Sequence, residues 1–234
     1  GPGSFWMGSS PSEEGRSDEE RLREVVVNNG FYLGECEVKQ VQWELIIKEK
    51  PFFWRGDELP VESVSWTEAM NYCEKLTALE LNAGRLEGGW RFTLPSEVQW
   101  EYACRSGTRT AFNIGNTISS DDANFDASIP YGQSLKGMKS YRTINCGSFK
   151  PNQSGFYDMH GNVWEWCLDW YSKDNYLVSD TLIPENGLYK VKRGGSWFNG
   201  PKNVRSAKRF YSSKKYRNET LGFRVALINT DTSK

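Results

Sequence analysis

From about residue 106 to 155 the chain is rich in Gly, Ser, Asn and Asp and shows almost no hydrophobic period. Irregular connections of that length are uncommon in a compact domain unless something holds them down. Phe112, Phe125, Tyr131 and Tyr141 punctuate the stretch, so it reads as long loops pinned by aromatic rings and not as disorder. No fixed-period repeat and no break in composition marks a second domain. The simplest architecture is one α+β domain with a loop-heavy half.

Helix signals lie before that stretch. Ser65 followed by Glu68 is a capping box, in which each side chain satisfies a backbone amide at a helix entrance. Behind it Trp66, Ala69, Met70, Cys73 and Leu76 fall on one helical face, which reads as core. A second box, Ser96 with Gln99, opens a shorter helix through Trp100, Ala103 and Cys104. A third, weaker helix is expected near Val41 to Ile47, because its Lys39 start lacks a capping side chain, and Pro51 ends it. Strands are expected at Phe5-Trp6-Met7, Phe31 to Leu33, Trp164 to Leu168, Tyr189 to Lys192 and Phe223 to Leu227, the last alternating Phe223, Val225 and Leu227. Residues 9 to 24 read as an exposed acidic loop, and Glu19-Glu20 and Asp121-Asp122 as solvated charge pairs.

The 234 residues are 38% hydrophobic and 14% aromatic, ample for a core without staples, and the net charge of -1 gives no global attraction to duplex nucleic acid. Five scattered cysteines with no C-x-x-C pair indicate neither a disulfide framework nor a zinc site. Residues 1–4, Gly-Pro-Gly-Ser, read as an expression remnant, residues 5–229 as the domain and residues 230–234 as a polar tail.

Six motifs then occur in a telling order: Phe5-Trp-Met-Gly8, Val61-Glu-Ser-Val-Ser-Trp66, Arg91-Phe-Thr-Leu-Pro-Ser-Glu-Val-Gln-Trp-Glu-Tyr-Ala103, Gly155-Phe-Tyr-Asp-Met-His-Gly-Asn-Val-Trp-Glu-Trp166, Arg193-Gly-Gly-Ser-Trp197 and Gly222-Phe-Arg224. Together they resemble the formylglycine-generating-enzyme, or sulfatase-modifying factor, domain, a variant of the C-type lectin fold. The resemblance implies short twisted antiparallel strands, two or three helices and long loops. Fold alone does not carry function. The family's oxidase uses a copper-binding cysteine pair just after the Gly-Gly-Ser-aromatic motif, and here Phe198 to Arg209 contains no cysteine. Soft copper(I) needs thiolate that Asn199 or Val204 cannot supply. The related iron-dependent sulfoxide synthases need a histidine cluster, and this chain has only His160, read as structural. No redox cofactor and no catalytic residue is therefore expected.

A second branch of the fold fits better: the variable proteins of diversity-generating retroelements, treponemal ones among them. These resemble the chain in Arg193-Gly-Gly-Ser-Trp197, Arg205-Ser-Ala207, Arg209, Arg217 and Gly222-Phe-Arg224. The resemblance implies a hypervariable ligand surface at Phe198, Gly200, Val204, Lys208, Phe210, Tyr211, Ser212, Ser213, Tyr216, Asn218 and Thr220. Tyr and Phe give contact area for little rotamer entropy, while Ser, Gly and Asn adapt their hydrogen bonds, as in antibody loops. From 198 to 220 seven Lys/Arg face Glu219 alone, which points to an acidic macromolecular partner, protein rather than nucleic acid. The competing reading is an ordinary solvated loop whose Arg205, Arg209 and Arg217 make framework ion pairs.

The resemblance also implies a structural calcium held by Asp158, Gly161, Val163 and Glu165, two of them through backbone carbonyls. A second family calcium site is poor here, since Asn124 matches but the downstream acid falls near Lys139 or Ser140. The function expected is non-catalytic ligand binding by a monomer displayed on a bacterial cell surface as a lipoprotein, with membrane contact only through such an anchor. An oxidase of the same fold and a calcium-dependent carbohydrate-binding lectin stay open as alternatives, although the Glu-Pro-Asn type motif of sugar-binding lectins is missing.

Overall fold

A computed structural model describes residues 1–173 and 186–231. In chain order it contains β1 (Gly3–Met7), β2 (Arg23–Val27), β3 (Phe31–Leu33), α1 (Gln40–Ile46), α2 (Trp66–Asn82), β4 (Trp90–Thr93), α3 (Glu97–Arg105), β5 (Trp164–Trp170), β6 (Lys190–Arg193), β7 (Phe210–Ser212), β8 (Leu221–Gly222) and β9 (Ala226–Asn229). The strands form three small sheets: β1-β2, β3-β9-β4 and β7-β6-β5-β8. All pairings are antiparallel except β5 with β8.

Both expected capping boxes are present. Ser65 Oγ accepts from the Glu68 amide while Glu68 reaches back to the Ser65 amide, and Ser96 and Gln99 do the same for α3. At α1 the missing cap is replaced by Gln42, whose Oε1 accepts from the Lys39 amide. Ala69 and Cys73 of α2 are buried, and Trp66, Met70 and Leu76 pack against the same core. That core centres on Trp43, Tyr72 and Phe223, with Trp43 and Tyr72 stacked at 5.5 Å and Phe223 edge-on to both. Trp164 and Trp166 of β5 close it from the sheet side.

Several expectations need correction. The Val25-Val26-Val27 strand was missed, because acidic residues before it carry no strand signal, yet Val25 and Val27 are buried against Phe5, Met7 and Val98. β4, hidden in a motif read for its helix, was also missed. The run Phe223 to Leu227 is not one strand. It crosses between two sheets, so Leu221–Gly222 pairs with β5 and Ala226–Asn229 lies between β3 and β4. Gly3 and Ser4 pair with Val27 and Val26 in β1. The last three residues of the polar tail lie outside the described residues.

The long stretch folds over a second cluster of Ala111, Phe112, Ile118, Phe125, Tyr131 and Val204. Phe112, Phe125 and Tyr131 pin it as expected, whereas Tyr141 is exposed and lies outside that cluster. Tyr131 also donates its hydroxyl to the Glu14 carbonyl, tying this stretch to the amino-terminal loop.

That loop is not merely solvated. Glu20 is buried and, with Glu13, grips the buried Arg205, whose Nη1 lies 2.6 Å from Glu13 Oε1 and 2.8 Å from Glu20 Oε2. Glu19 accepts from the Tyr171 hydroxyl. Asp121 and Asp122 are exposed, as expected.

Candidate ligand-binding face

The face is carried on a frame of buried ion pairs. Glu97 and Glu101 stand one turn apart on α3. Glu101 binds Arg105 at 2.8 Å and also Arg193, and Glu97 binds Arg209 through both of its oxygens, at 2.6 and 2.8 Å. Opposite charges hold both carboxylates below their ordinary range despite burial, which pushes the other way. Arg193 also donates to the carbonyls of Ser206, Ala207 and Lys208, so one guanidinium fixes the backbone entering β7. The Gly-Gly pair after it is needed sterically. Gly195 sits at φ +74, and a Cβ there would lie 2.4 Å from Val204 Cγ1 and 2.7 Å from the Asn203 carbonyl.

On this frame β7 presents Phe210 and Tyr211 outward. Trp164, Phe210 and Tyr211 form a ladder with centroid spacings of 5.6 and 5.7 Å, continued by Tyr171 at 4.1 Å and Tyr189 at 5.0 Å from Tyr211. Tyr216 joins from the following turn, where its amide donates to the Ser213 carbonyl. Ser213 is exposed beside it, and Ser212 is half-buried on β7. Further along, Asn218 Oδ1 accepts from the Thr220 amide and hydroxyl, shaping the turn into β8. The Trp197 indole donates to the Glu219 carbonyl and meets Phe198 edge-on at 5.7 Å, which joins exposed Phe198 to that turn. Gly200 packs on Ile129 at the start of a 3-10 turn over Pro201–Asn203.

Ten of the eleven positions read as surface contacts are at least partly exposed, and Val204 is the correction. It is fully buried with Phe112 and Tyr131, because its carbonyl accepts from His160 and its side chain fills the space over Gly195. The basic excess is also smaller than a count suggests. Arg205 and Arg209 are buried frame residues, as the competing reading held. Arg217 pairs with Glu68 at 2.9 Å and Lys202 with Glu14 at 3.1 Å, both at the surface. Among the described residues Lys208, Lys214 and Lys215 make no ion pair.

Sequence reasoning missed Lys190 and Lys192, which sit on the β6 face turned to the aromatic ladder. Lys190 Nζ donates to the Leu168 carbonyl at 2.7 Å and lies 4.0 Å from the Trp66 ring centre and 3.8 Å from that of Trp170. Lys192 Nζ lies among Trp164, Phe210 and Tyr216 at 5.4, 5.2 and 5.5 Å. Burial pulls both ammonium groups down to about 8. Within a strand-like run a lysine reads as outward, so only the topology could place them here.

His160 is structural. Its ring is buried, Nε2 accepts from the Asn113 amide at 3.0 Å and Nδ1 therefore carries the proton toward the Val204 carbonyl at 2.7 Å. Burial lowers its pKa to about 4. No cysteine is activated. Cys36, Cys73 and Cys104 are each pushed up to about 12 by burial, and Cys146 and Cys167 are raised as well.

At the expected calcium site the ligand set fits only in part. Glu165 is committed, since Arg224 donates to both its oxygens at 2.6 and 2.7 Å and Trp100 Nε1 to one at 2.7 Å. Asp158 accepts from the Gly147 amide at 2.6 Å, beside Glu37, which is buried and has no hydrogen-bond partner on Oε2. Burial raises both carboxyl groups above their ordinary values, helped at Glu37 by repulsion from Asp158 and Glu165 and at Asp158 by repulsion from Glu165. No group of three or more His, Cys, Asp or Glu side chains is placed to hold a metal among the described residues. Asn124 instead donates to Asn162 and the Arg142 carbonyl.

Residues 1–228 match the sulfatase-modifying factor enzyme 1-like domain. The chain is 32% identical to the mouse formylglycine-generating enzyme over 185 residues, covering 74% of this chain and 45% of that protein. It is 30% identical to the serine/threonine-protein kinase pkn1 of Chlamydia pneumoniae over 249 residues, covering 93% of this chain and 36% of that one. The chain thus spans less than half the length of either. Among solved structures, Treponema denticola variable protein 1 superposes with a TM-score of 0.81 at 25% identity, over 96% of this chain and 92% of that one.

Proposed function

The chain belongs to the sulfatase-modifying factor enzyme 1-like family, in its C-type lectin fold, and from that premise we propose that it is a non-catalytic ligand-binding member whose exposed residues between 198 and 220 form the contact surface. The observation that carries this is the division of labour along one segment. Arg193, Arg205 and Arg209 are buried in ion pairs, while Phe198, Phe210, Tyr211, Ser213 and Tyr216 between and beyond them stand exposed. A surface can vary on such a frame without disturbing the core, and its aromatics are the usual anchors of an interface. Likeness to the Treponema denticola variable protein supports the same reading.

An oxidase would need a reactive thiol pair, and the five cysteines are scattered and raised in pKa. We include in the proposal display at a bacterial surface through a lipid anchor, a monomeric state, and one structural calcium with Asp158 and the Gly161 and Val163 carbonyls as ligands, Glu37 replacing the committed Glu165.

The test is a displayed library randomised at Phe198, Lys208, Phe210, Tyr211, Ser213 and Tyr216. Most members are expected to keep the parent's melting temperature within a few degrees, as surface changes usually do, and selection against unrelated proteins is expected to yield distinct binders. A library that largely unfolds, or turnover of a cysteine-containing sulfatase peptide with copper supplied, would overturn the proposal.

A further inference from the structure

We propose that Lys192 is the recessed anion-binding point of this face and takes one carboxylate, an Asp or Glu side chain of an acidic protein partner, between the rings of Trp164, Phe210 and Tyr216. The inference deepens the binding-face reading and rests on it. Lys192 is 6% exposed, and its ammonium makes no hydrogen bond or ion pair among the described residues. Its neighbour two positions back shows what a completed lysine looks like in the same sheet, since Lys190 has both an aromatic setting and the Leu168 carbonyl. Lys192 has the aromatic setting alone. Three π-faces attract the cation, and its Nζ, though recessed, stays in reach of solvent and so of a ligand.

The electrostatics select an anion. Desolvation is the only cause that lowers the Lys192 pKa, and at about 8 the group remains mostly charged at neutral pH. A carboxylate that reaches this ammonium supplies acceptor oxygens for a charge-assisted bond. The outer wall is made of Phe210 and Tyr216, 45% and 44% exposed, which register and turn geometry set directly over β6, Phe210 being the cross-strand partner of Lys192. Both belong to the surface set, so changing them would alter access to the fixed charge beneath. Lys214 and Lys215, exposed in the turn that carries Tyr216, add positive potential while their long side chains stay in water. A bare carboxylate flanked by apolar atoms matches both the ammonium and its walls.

The test is nuclear magnetic resonance of protein carrying carbon-13 at the lysine Cε, titrated with sodium acetate against sodium chloride at equal ionic strength. The Lys192 signal is assigned by its loss in Lys192→Met, which keeps an unbranched apolar stem. The expected result is a saturating shift of that one signal with acetate, tenfold weaker or absent with chloride, and no acetate response of the Trp164 indole in Lys192→Met. Equal behaviour of the two salts, or an unsaturated drift shared by Lys208, Lys214 and Lys215, would overturn the inference. The wild-type titration decides this even if the variant folds poorly. Saturable acetate binding in a protein whose randomised face selects no binder would leave the anion point standing and remove the surface reading, whereas the reverse pattern would do the opposite.

Discussion

At the scale of single residues, His160 gives the cleanest handle, because the chain has one histidine. Its imidazole is buried, neutral and held by donors and acceptors on both nitrogens. The folded pKa lies near 4 and the unfolded one near 6.5, so between those values the unfolded chain binds the proton and the folded one does not. Stability attributable to this group is therefore unaffected above pH 6.5 and falls as pH drops through the window, by about 3 kcal/mol once below 4. The imidazole signal is expected not to titrate above pH 5, and the acid loss of stability is expected to be shallower in His160→Gln; an ordinary titration near 6.5 would contradict the burial. Its structural role was legible in the sequence from its place in the Met-His-Gly-Asn turn, but the partner was not. Val204 reads as surface for the same reason, since neither residue announces that a loop 44 positions away folds back onto it.

Elements separate into those whose signals are local and those that exist only through a neighbour. α2 and α3 were legible because capping boxes and helical spacing are written within a few residues. β2, β4 and the break between β8 and β9 were not, since their pairing partners lie far along the chain. The same distinction predicts how glycines respond. Gly195→Ala forces a side chain at φ +74 into Val204 and the Asn203 carbonyl. It is expected to cost about 3 kcal/mol from strain and overpacking together, read as a fall of about 10 °C in melting temperature. Gly200→Ala meets only the Ile129 Cδ1 tip at 3.1 Å and is expected to cost less than about 1 kcal/mol. Equal losses in the two variants would mean that frame and face are not separable.

At the scale of the whole molecule, the buried arginines among the described residues all sit in carboxylate ion pairs, and around one of them acid is in excess. Glu37 and Asp158 lie beside the Glu165–Arg224 pair, three carboxylates to one guanidinium, and burial first, with the excess negative charge second, raises Glu37 and Asp158. A divalent cation would neutralise the difference. Millimolar calcium is accordingly expected to raise the melting temperature by several degrees, on the order of 2–3 kcal/mol at a hundredfold excess over the dissociation constant, and Asp158→Asn is expected to abolish the gain; an unchanged melting temperature would exclude calcium there. The family motifs made that turn legible, but the commitment of Glu165 to Arg224 is a tertiary fact. Arg205 has a different kind of consequence. Its two carboxylates, Glu13 and Glu20, precede it by 192 and 185 positions. On a ribosome making the chain from the amino terminus, those acids emerge first and must wait, hydrated and unpaired, until nearly all of the domain has been synthesised. The amino-terminal loop therefore completes last although it is made first, and a nascent chain arrested before residue 205 would present it as an open site for proteases.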